Sequence, residues 1–188
     1  RDDGDEEIRK LPEIVRDEAR LRDYVRQNPP IMVGTARQRL AGYLDPHPSQ
    51  DTTMPAPGWR GPRGEYRCRK EFQADRLWEI HIDPYGNIQT NCGMILGHLP
   101  KDTPASVLAS GPERANRFLD AVCEKGALGL AELAQREYGF RIPATVSQAC
   151  ELCYLARSFL HQYHPEVFGP AEVYSAIGAT SSGGIEAQ

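Results

Sequence analysis

Five cysteines carry the chemistry open to this sequence: Cys68, Cys92, Cys123, Cys150 and Cys153. Cys150 and Cys153 form a C-x-x-C pair in ACELCYLARSFL, a spacing that serves zinc, iron–sulfur clusters and redox dithiols alike. Near the start of a helix the pair presents both sulfurs on neighbouring sides of the first turns. The positive end of the helix dipole there favours thiolate, the form that binds metal. Cys92 falls just beyond a strand and is followed by Gly93, which lets backbone approach a bulky centre closely. A structural zinc or a fully ligated four-iron cluster takes about four protein ligands. The expected set is Cys68, Cys92, Cys150 and Cys153, with Cys68 folding back through a long loop. The alternative for Cys92 is a small buried hydrophobe beside Met94, Ile95 and Leu96. Cys123, next to Val122 on a helix packed by Phe118 and Leu119, reads as a buried inert thiol, with replacement of Cys68 as its alternative role.

The elements that must position these thiols follow from periodicity. Leu77 to Leu99 is the organising stretch. Trp78, Ile80 and Ile82 alternate with Glu79, His81 and Asp83, as a half-buried strand requires, with the apolar face packing. Asp83-Pro84-Tyr85-Gly86 has the residue order of a type I turn, and 87–91 can return antiparallel, delivering Cys92. Downstream, Asp102 or Thr103 caps a short helix with Pro104 at its first position. Pro112 opens a helix through Cys123, and 127–138 forms another, closed by Gly139. Arg141 to Thr145 reads as a linker. Ser147 then caps a helix through Tyr163 that is anchored by Leu152, Leu155, Ala156, Phe159 and Leu160. Upstream, 5–27 has helical spacing at Ile8, Leu11, Ile14, Val15, Leu21, Tyr24 and Val25. Asn28-Pro29-Pro30 stops it. Ile31-Met32-Val33 reads as a short strand, with Thr35 capping a helix to Tyr43. Residues 45–64 contain five prolines and three glycines and read as a loop or linker without helix or strand. The fold class expected is therefore α+β: a short β-hairpin and a mostly helical second half around a Cys-ligated metal site.

The histidines are scattered. His81 shares a strand face with Glu79, and a structural role in the hairpin is preferred to metal ligation. His47 reads as a surface residue, His98 as a weak candidate, and His161 and His164 as favouring the negative end of a helix dipole. No G-x-S-x-G, Walker loop, H-E-x-x-H or G-x-G-x-x-G motif is present, so no complete active site is proposed from the chain alone.

Composition sets the bounds. A net charge of −4 over 188 residues gives no basic surface for nucleic acid. No apolar run approaches the roughly 20 residues that cross a bilayer, and the opening RDDGDEEIRK lacks the apolar run of a signal peptide. An odd cysteine count without a secretion signal argues against a disulfide framework and for a reducing, cytoplasmic compartment. The start at Arg1 leads to the expectation of a processed chain or a piece of something longer, and the small polar end from 176 to 188 to that of a disordered tail.

With the cysteines placed, EIHIDPYGNIQTNCGMILGH resembles the stretch after the barrel in radical S-adenosylmethionine (radical SAM) proteins with SPASM or twitch C-terminal extensions. In those, a cysteine precedes a β-hairpin, a D-x-x-G or D-G turn links its strands, and a further cysteine follows. Cys68, Asp83–Gly86 and Cys92 are the matching positions. CELCYLARSFLHQYHPEVFGPAEVY is similar to the closing CxLCYxxR helix of one uncharacterised branch of that superfamily. The resemblance covers roughly residues 65 to 175. It implies that Cys68, Cys92, Cys150 and Cys153 hold an auxiliary 4Fe-4S cluster that binds substrate or relays electrons. It also implies domains at 1–44 (the possible end of a barrel), 45–64 (linker) and 65–175 (cluster-binding). The CxxxCxxC loop that holds the S-adenosylmethionine cluster is absent from these residues. The expected partners are accordingly an N-terminal radical SAM barrel, where S-adenosylmethionine would bind, and a substrate whose identity the sequence does not give. Five residues separate Gly86 from Cys92, one more than the usual SPASM spacing. Competing readings are a zinc-stabilised structural or interaction module using the same thiolates, and a metal-free helical domain with a dithiol at Cys150 and Cys153.

Overall fold

The computed structural model describes residues 14–51, 81–90, 92–110 and 116–174. Cys68, Trp78, Ile80 and the chain end from 176 lie outside them, as do Gly111 and Pro112. Within the described residues the chain is α+β, helices with two small antiparallel sheets. No helix there is long and apolar enough to cross a membrane.

The first half is held by polar contacts to the second. Helix α1, Glu18–Gln27, starts at Asp17, whose carboxylate accepts from the Ala19 and Arg20 amides. Of the apolar positions read as one face, Val25 is buried but Val15 is 62% exposed. Residues 31–33 do not form the expected strand. Gln148 holds this segment instead: its Oε1 accepts from Met32 N at 3.2 Å and its Nε2 donates to Pro30 O at 2.9 Å. One buried side chain thereby satisfies the backbone groups that a neighbouring strand would have paired. Helix α2, Gly34–Leu40, begins after Val33 without a side-chain cap, so Thr35 is inside it rather than capping it, and a 3₁₀ turn at Ala41–Tyr43 ends the segment. Part of the proline-rich stretch is paired after all: His47 and Pro48 form strand β1, and His47 is half-buried rather than at the surface.

Strands β2 (His81–Ile82), β3 (Asn87–Gln89) and β4 (Ile95–His98) make a three-stranded sheet in that order. The turn between β2 and β3 forms as its residue order predicts, with Gly86 N donating to Asp83 O at 3.0 Å. Asp83 also accepts from the Tyr85 and Asn87 amides and from the Asn87 and Gln89 side chains. The third strand was not expected; the glycine-bracketed run 94–98 supplies it. The packing of the hairpin also differs from expectation. Ile82 is 51% exposed while Ile88 and Thr90 are buried, because β3 is the central strand, flanked on both sides.

Helix α3, Pro104–Ser110, is capped by Thr103, whose hydroxyl accepts from Ser106 N. Helix α4, Arg117–Tyr138, begins at Asn116, which caps Leu119 N, and bends at Gly126. Gly126 has φ 61° and ψ −146°, a non-helical conformation open to glycine, and it separates the two helical stretches expected on either side of it. Gly139, in the left-handed region, closes it as predicted. Strand β5, Thr145–Val146, then pairs with β1. Helix α5, Ala149–His161, packs along α4 and builds the core from Leu119, Val122, Leu130, Leu152, Ala156 and Leu160. Gln148, not Ser147, stands at its cap position. The Ser147 amide and hydroxyl donate to Glu151 Oε2 at 2.8 and 2.6 Å, and Arg37 Nε meets Glu151 Oε1 at 2.8 Å. A largely buried carboxylate thus has both oxygens satisfied, and it ties α2 to α5.

Gln148→Ala strands the Met32 amide and the Pro30 carbonyl, which are otherwise held by one side chain. It is expected to cost about 2 kcal/mol, read as a lower urea midpoint at unchanged slope. An unchanged midpoint would show that segment 30–32 is held by something else.

Candidate metal centre

The start of α5 and the turn after β3 meet at one side chain, Arg157. Two turns of helix separate it from Cys150, and one from Cys153, which puts all three on one side of α5. Arg157 is 5% exposed. Its Nη1 donates to the Cys92 carbonyl, and its guanidinium carbon lies 5.9 Å from the centre of the Tyr154 ring. Three thiols and one phenol act electrostatically on this cation: Cys153, Tyr174, Cys92 and Cys150. Burial alone would pull the Arg157 pKa down, yet these four neighbours hold it above its ordinary value.

Cys92 is delivered by a tight turn. Gly93 N donates to Thr90 O and Thr90 N to Met94 O, both at 2.9 Å. Gly93 has φ +83°, and a Cβ placed on it would stand 3.4 Å from Arg157 Nη1. Its left-handed backbone, rather than lack of room, is what favours glycine here. Thr90 Oγ1 accepts from Met94 N at 3.0 Å and lies 3.1 Å from Cys92 Sγ. With its oxygen engaged by that amide, the hydroxyl proton can be given to the sulfur, an arrangement suited to thiolate.

Tyr174 closes the other side. Tyr154 donates to Val173 O at 2.7 Å, which fixes the backbone beside it, and the Tyr174 ring lies 5.6 Å from that of Tyr154 and 5.4 Å from that of His161. Burial pushes the Tyr174 phenol up to about 12; Arg157 pulls against this, and Cys153 and Cys92 add to it. Tyr174 is therefore a neutral phenol near neutral pH and supplies no counter-charge to Arg157. Among the described residues no carboxylate pairs with Arg157 either. Among the described residues, the thiols are the groups left that could supply the negative charge a buried guanidinium favours.

Three of the expected ligands, Cys92, Cys150 and Cys153, are thus gathered around one cation, while Cys68 lies outside the described residues. Among those residues no group of three or more His, Cys, Asp or Glu side chains is arranged to hold a metal ion. Cys92, Cys150 and Cys153 are the soft donor type that a thiolate-bound metal takes, but the structure does not bring the three into a ligating group. Cys123 sits on α4, half-buried and packed against the core. His81 is exposed in β2. His98 Nδ1 donates to Gly86 O at 3.2 Å, which ties the hairpin turn to β4. The two late histidines have specific partners rather than only a helix end to face. His161 Nδ1 meets Phe168 O, and His164 bridges the Tyr138 hydroxyl at 2.7 Å and Glu166 at 3.0 Å. The sequence reading missed Arg157 and Tyr174 as site residues. The signal for Arg157 lay in its spacing from the C-x-x-C pair; Tyr174 is brought in by tertiary folding.

No protein-family model, curated protein or solved structure matches the chain.

The turn that delivers Cys92 should respond to acid. Burial raises the Asp83 pKa, but hydrogen bonds from Asn87, Tyr85 and Gln89 outweigh it and leave the carboxyl below its ordinary 3.8. A folded pKa below the unfolded one gives stability that is present above the unfolded value and lost as pH falls through the folded value. The Asn87 amide is accordingly expected to lose hydrogen-exchange protection as pH drops below 3.8. Asp83→Asn should remove that pH dependence, and an identical profile in the variant would exclude Asp83 as its source.

Proposed function

We propose that this chain is a thiolate metal-binding region of the auxiliary-cluster type, with Cys68, Cys92, Cys150 and Cys153 as ligands and a four-iron cluster as the metal. The observation that carries the reading is a buried guanidinium with three thiol-bearing residues around it, a neutral phenol beside it and no carboxylate partner among the described residues. Thiolates held by a metal answer that charge. Neutral thiols do not.

Its place as the C-terminal part of a radical SAM enzyme rests on the resemblance of the hairpin and of the CELCYLAR helix. A cluster bound here supplies electron transfer or a binding point for substrate. The residues of this chain do the rest. Gly93 and Thr90 set the Cys92 turn, Arg157 offsets charge, and the packing of α5 on α4 keeps water from the buried side of the site.

Anaerobic purification followed by iron, sulfide and zinc analysis tests the metal. Brown protein with stoichiometric sulfide is expected. Colourless protein with one zinc would make the chain a structural or interaction module, and metal-free protein would leave a dithiol. Cys92→Ala is expected to abolish metal retention, and unchanged retention removes Cys92 from the ligand set. The isolated chain, without a CxxxCxxC loop, is expected not to cleave S-adenosylmethionine. Formation of 5′-deoxyadenosine by the purified chain would sink that expectation.

A further inference from the structure

Away from the cysteines, three side chains line up on the phenol of Tyr138. A straight helix of 22 residues would hold its ends roughly 30 Å apart. The bend at Gly126 instead brings the two ends of α4 together, and Arg117 Nη2 at its start donates to the Tyr138 hydroxyl at its end. His164, just past α5, reaches the same oxygen. Its Nε2 lies 2.7 Å from Tyr138 Oη, and its Nδ1 lies 3.0 Å from Glu166 Oε1. A carboxylate only accepts, so in the neutral imidazole Nδ1 carries the proton and Nε2 is left to accept from the phenol. Burial raises the Glu166 pKa, but hydrogen bonds from its own amide and from His164 outweigh this and hold the carboxyl below its ordinary 4.5. The imidazole is fixed by packing, 4.8 Å from the buried ring of Phe118 and 5.4 Å from that of Tyr138. Arg117 Nη1 also meets Glu137 Oε2 at 2.7 Å, which keeps the guanidinium beside the phenol. Tyr138 itself is half-buried.

We propose that Tyr138 is a nucleophilic site that takes the acyl group of an activated ester, with His164 as its general base and Glu166 as a positioning residue. Carboxylate, imidazole and hydroxyl stand in the order that activates a hydroxyl nucleophile. Tyr138 Oη attacks the carbonyl carbon and forms a C–O bond as its proton passes to His164 Nε2. The ester C–O bond then breaks, and the leaving alkoxide takes the proton from Nε2. Nothing is oxidised or reduced. Arg117, beside the attacking oxygen, is placed to donate to the oxyanion that forms on the carbonyl. The product is an uncharged ester, which the negative end of the α4 dipole does not repel. A phosphoryl group on the same oxygen would be repelled, and this favours acyl transfer. The site uses none of the cysteines and stands whether or not they bind metal.

The test treats the whole 188-residue chain with p-nitrophenyl acetate and measures the acetylation rate of each tyrosine by peptide mass spectrometry. Tyr163 is the internal control. Its ring lies 4.9 Å from that of Tyr138, it is 47% exposed, and no base is bonded to its hydroxyl among the described residues. Exposure alone favours acetylation of Tyr163. General-base assistance favours Tyr138 instead, which is expected to react about a hundredfold faster than Tyr163. His164→Gln is expected to lower the Tyr138 rate about a hundredfold and to leave the Tyr163 rate unchanged. Glu166→Gln should lower the Tyr138 rate by less, and Glu166→Asp should recover part of the loss. Folding of each variant is checked by circular dichroism. If His164→Gln fails to fold, the ratio of the two tyrosines in the wild type decides the matter. Acetylation of Tyr138 no faster than that of Tyr163, or at an unchanged rate in folded His164→Gln or Glu166→Gln, overturns the inference.

Discussion

The buried Arg157 guanidinium is the constraint on which the rest of the structure turns. Its bond to the Cys92 carbonyl fastens the Cys92 turn to α5, and Tyr174 acts on it electrostatically from the other side. Helix α5 can carry such a residue because its other faces are secured independently. Leu152, Ala156 and Leu160 bury against α4, and Glu151 and Gln148 hold the segment from Pro30 to Arg37 at the helix start. The helix is therefore both the scaffold of the core and the platform of the site. That double role explains why its first two turns mix apolar, thiol and charged residues within a single run.

Docking of the first half uses an unusual economy of side chains. A strand at 31–33 would have offered its backbone groups to a neighbour, but among the described residues no strand pairs with it. Gln148 meets the need with both ends of its amide, and Glu151 meets a second need by accepting from Ser147 and from Arg37. Both residues sit on the helix end that bears Cys150, so order in the N-terminal segment and order at the thiols are physically connected.

Much of this was legible in the sequence where the signal is local. The Asp-Pro-Tyr-Gly turn, the Pro104 start, the helix break between Cys123 and Ala127 and the Gly139 stop all depend on backbone chemistry within a few residues, and each is found. What the sequence did not reveal depends on partners far along the chain. Ile31-Met32-Val33 has the composition of a strand, yet a glutamine more than a hundred residues away decides its pairing. His47-Pro48 pairs with Thr145-Val146 although the proline-rich surroundings argue for loop. Ile82 alternates correctly but lies on the flanking strand, so periodicity alone assigned it to the wrong side of the solvent boundary. The thiols were found by residue type; Arg157 was not, because its spacing from the C-x-x-C pair gives it no role until its burial is known.

Magnitudes separate the two readings of the cysteines. As neutral hydrophobes, Cys92, Cys150 and Cys153 would leave Arg157 without a counter-charge among the described residues, and a buried ion without a partner costs several kcal/mol. One thiolate about 5 Å away returns roughly 3 kcal/mol at an effective dielectric near 20. Ionising a thiol of ordinary pKa at pH 7 costs about 2 kcal/mol of that, so one thiolate gains little. Several thiolates together would gain more but repel one another at similar strength. A divalent metal or a cluster removes the conflict, since it pays the ionisation of every ligand and leaves a net negative centre beside the cation. On the proposed metal reading, the buried arginine and the thiols near it belong to one electrostatic arrangement.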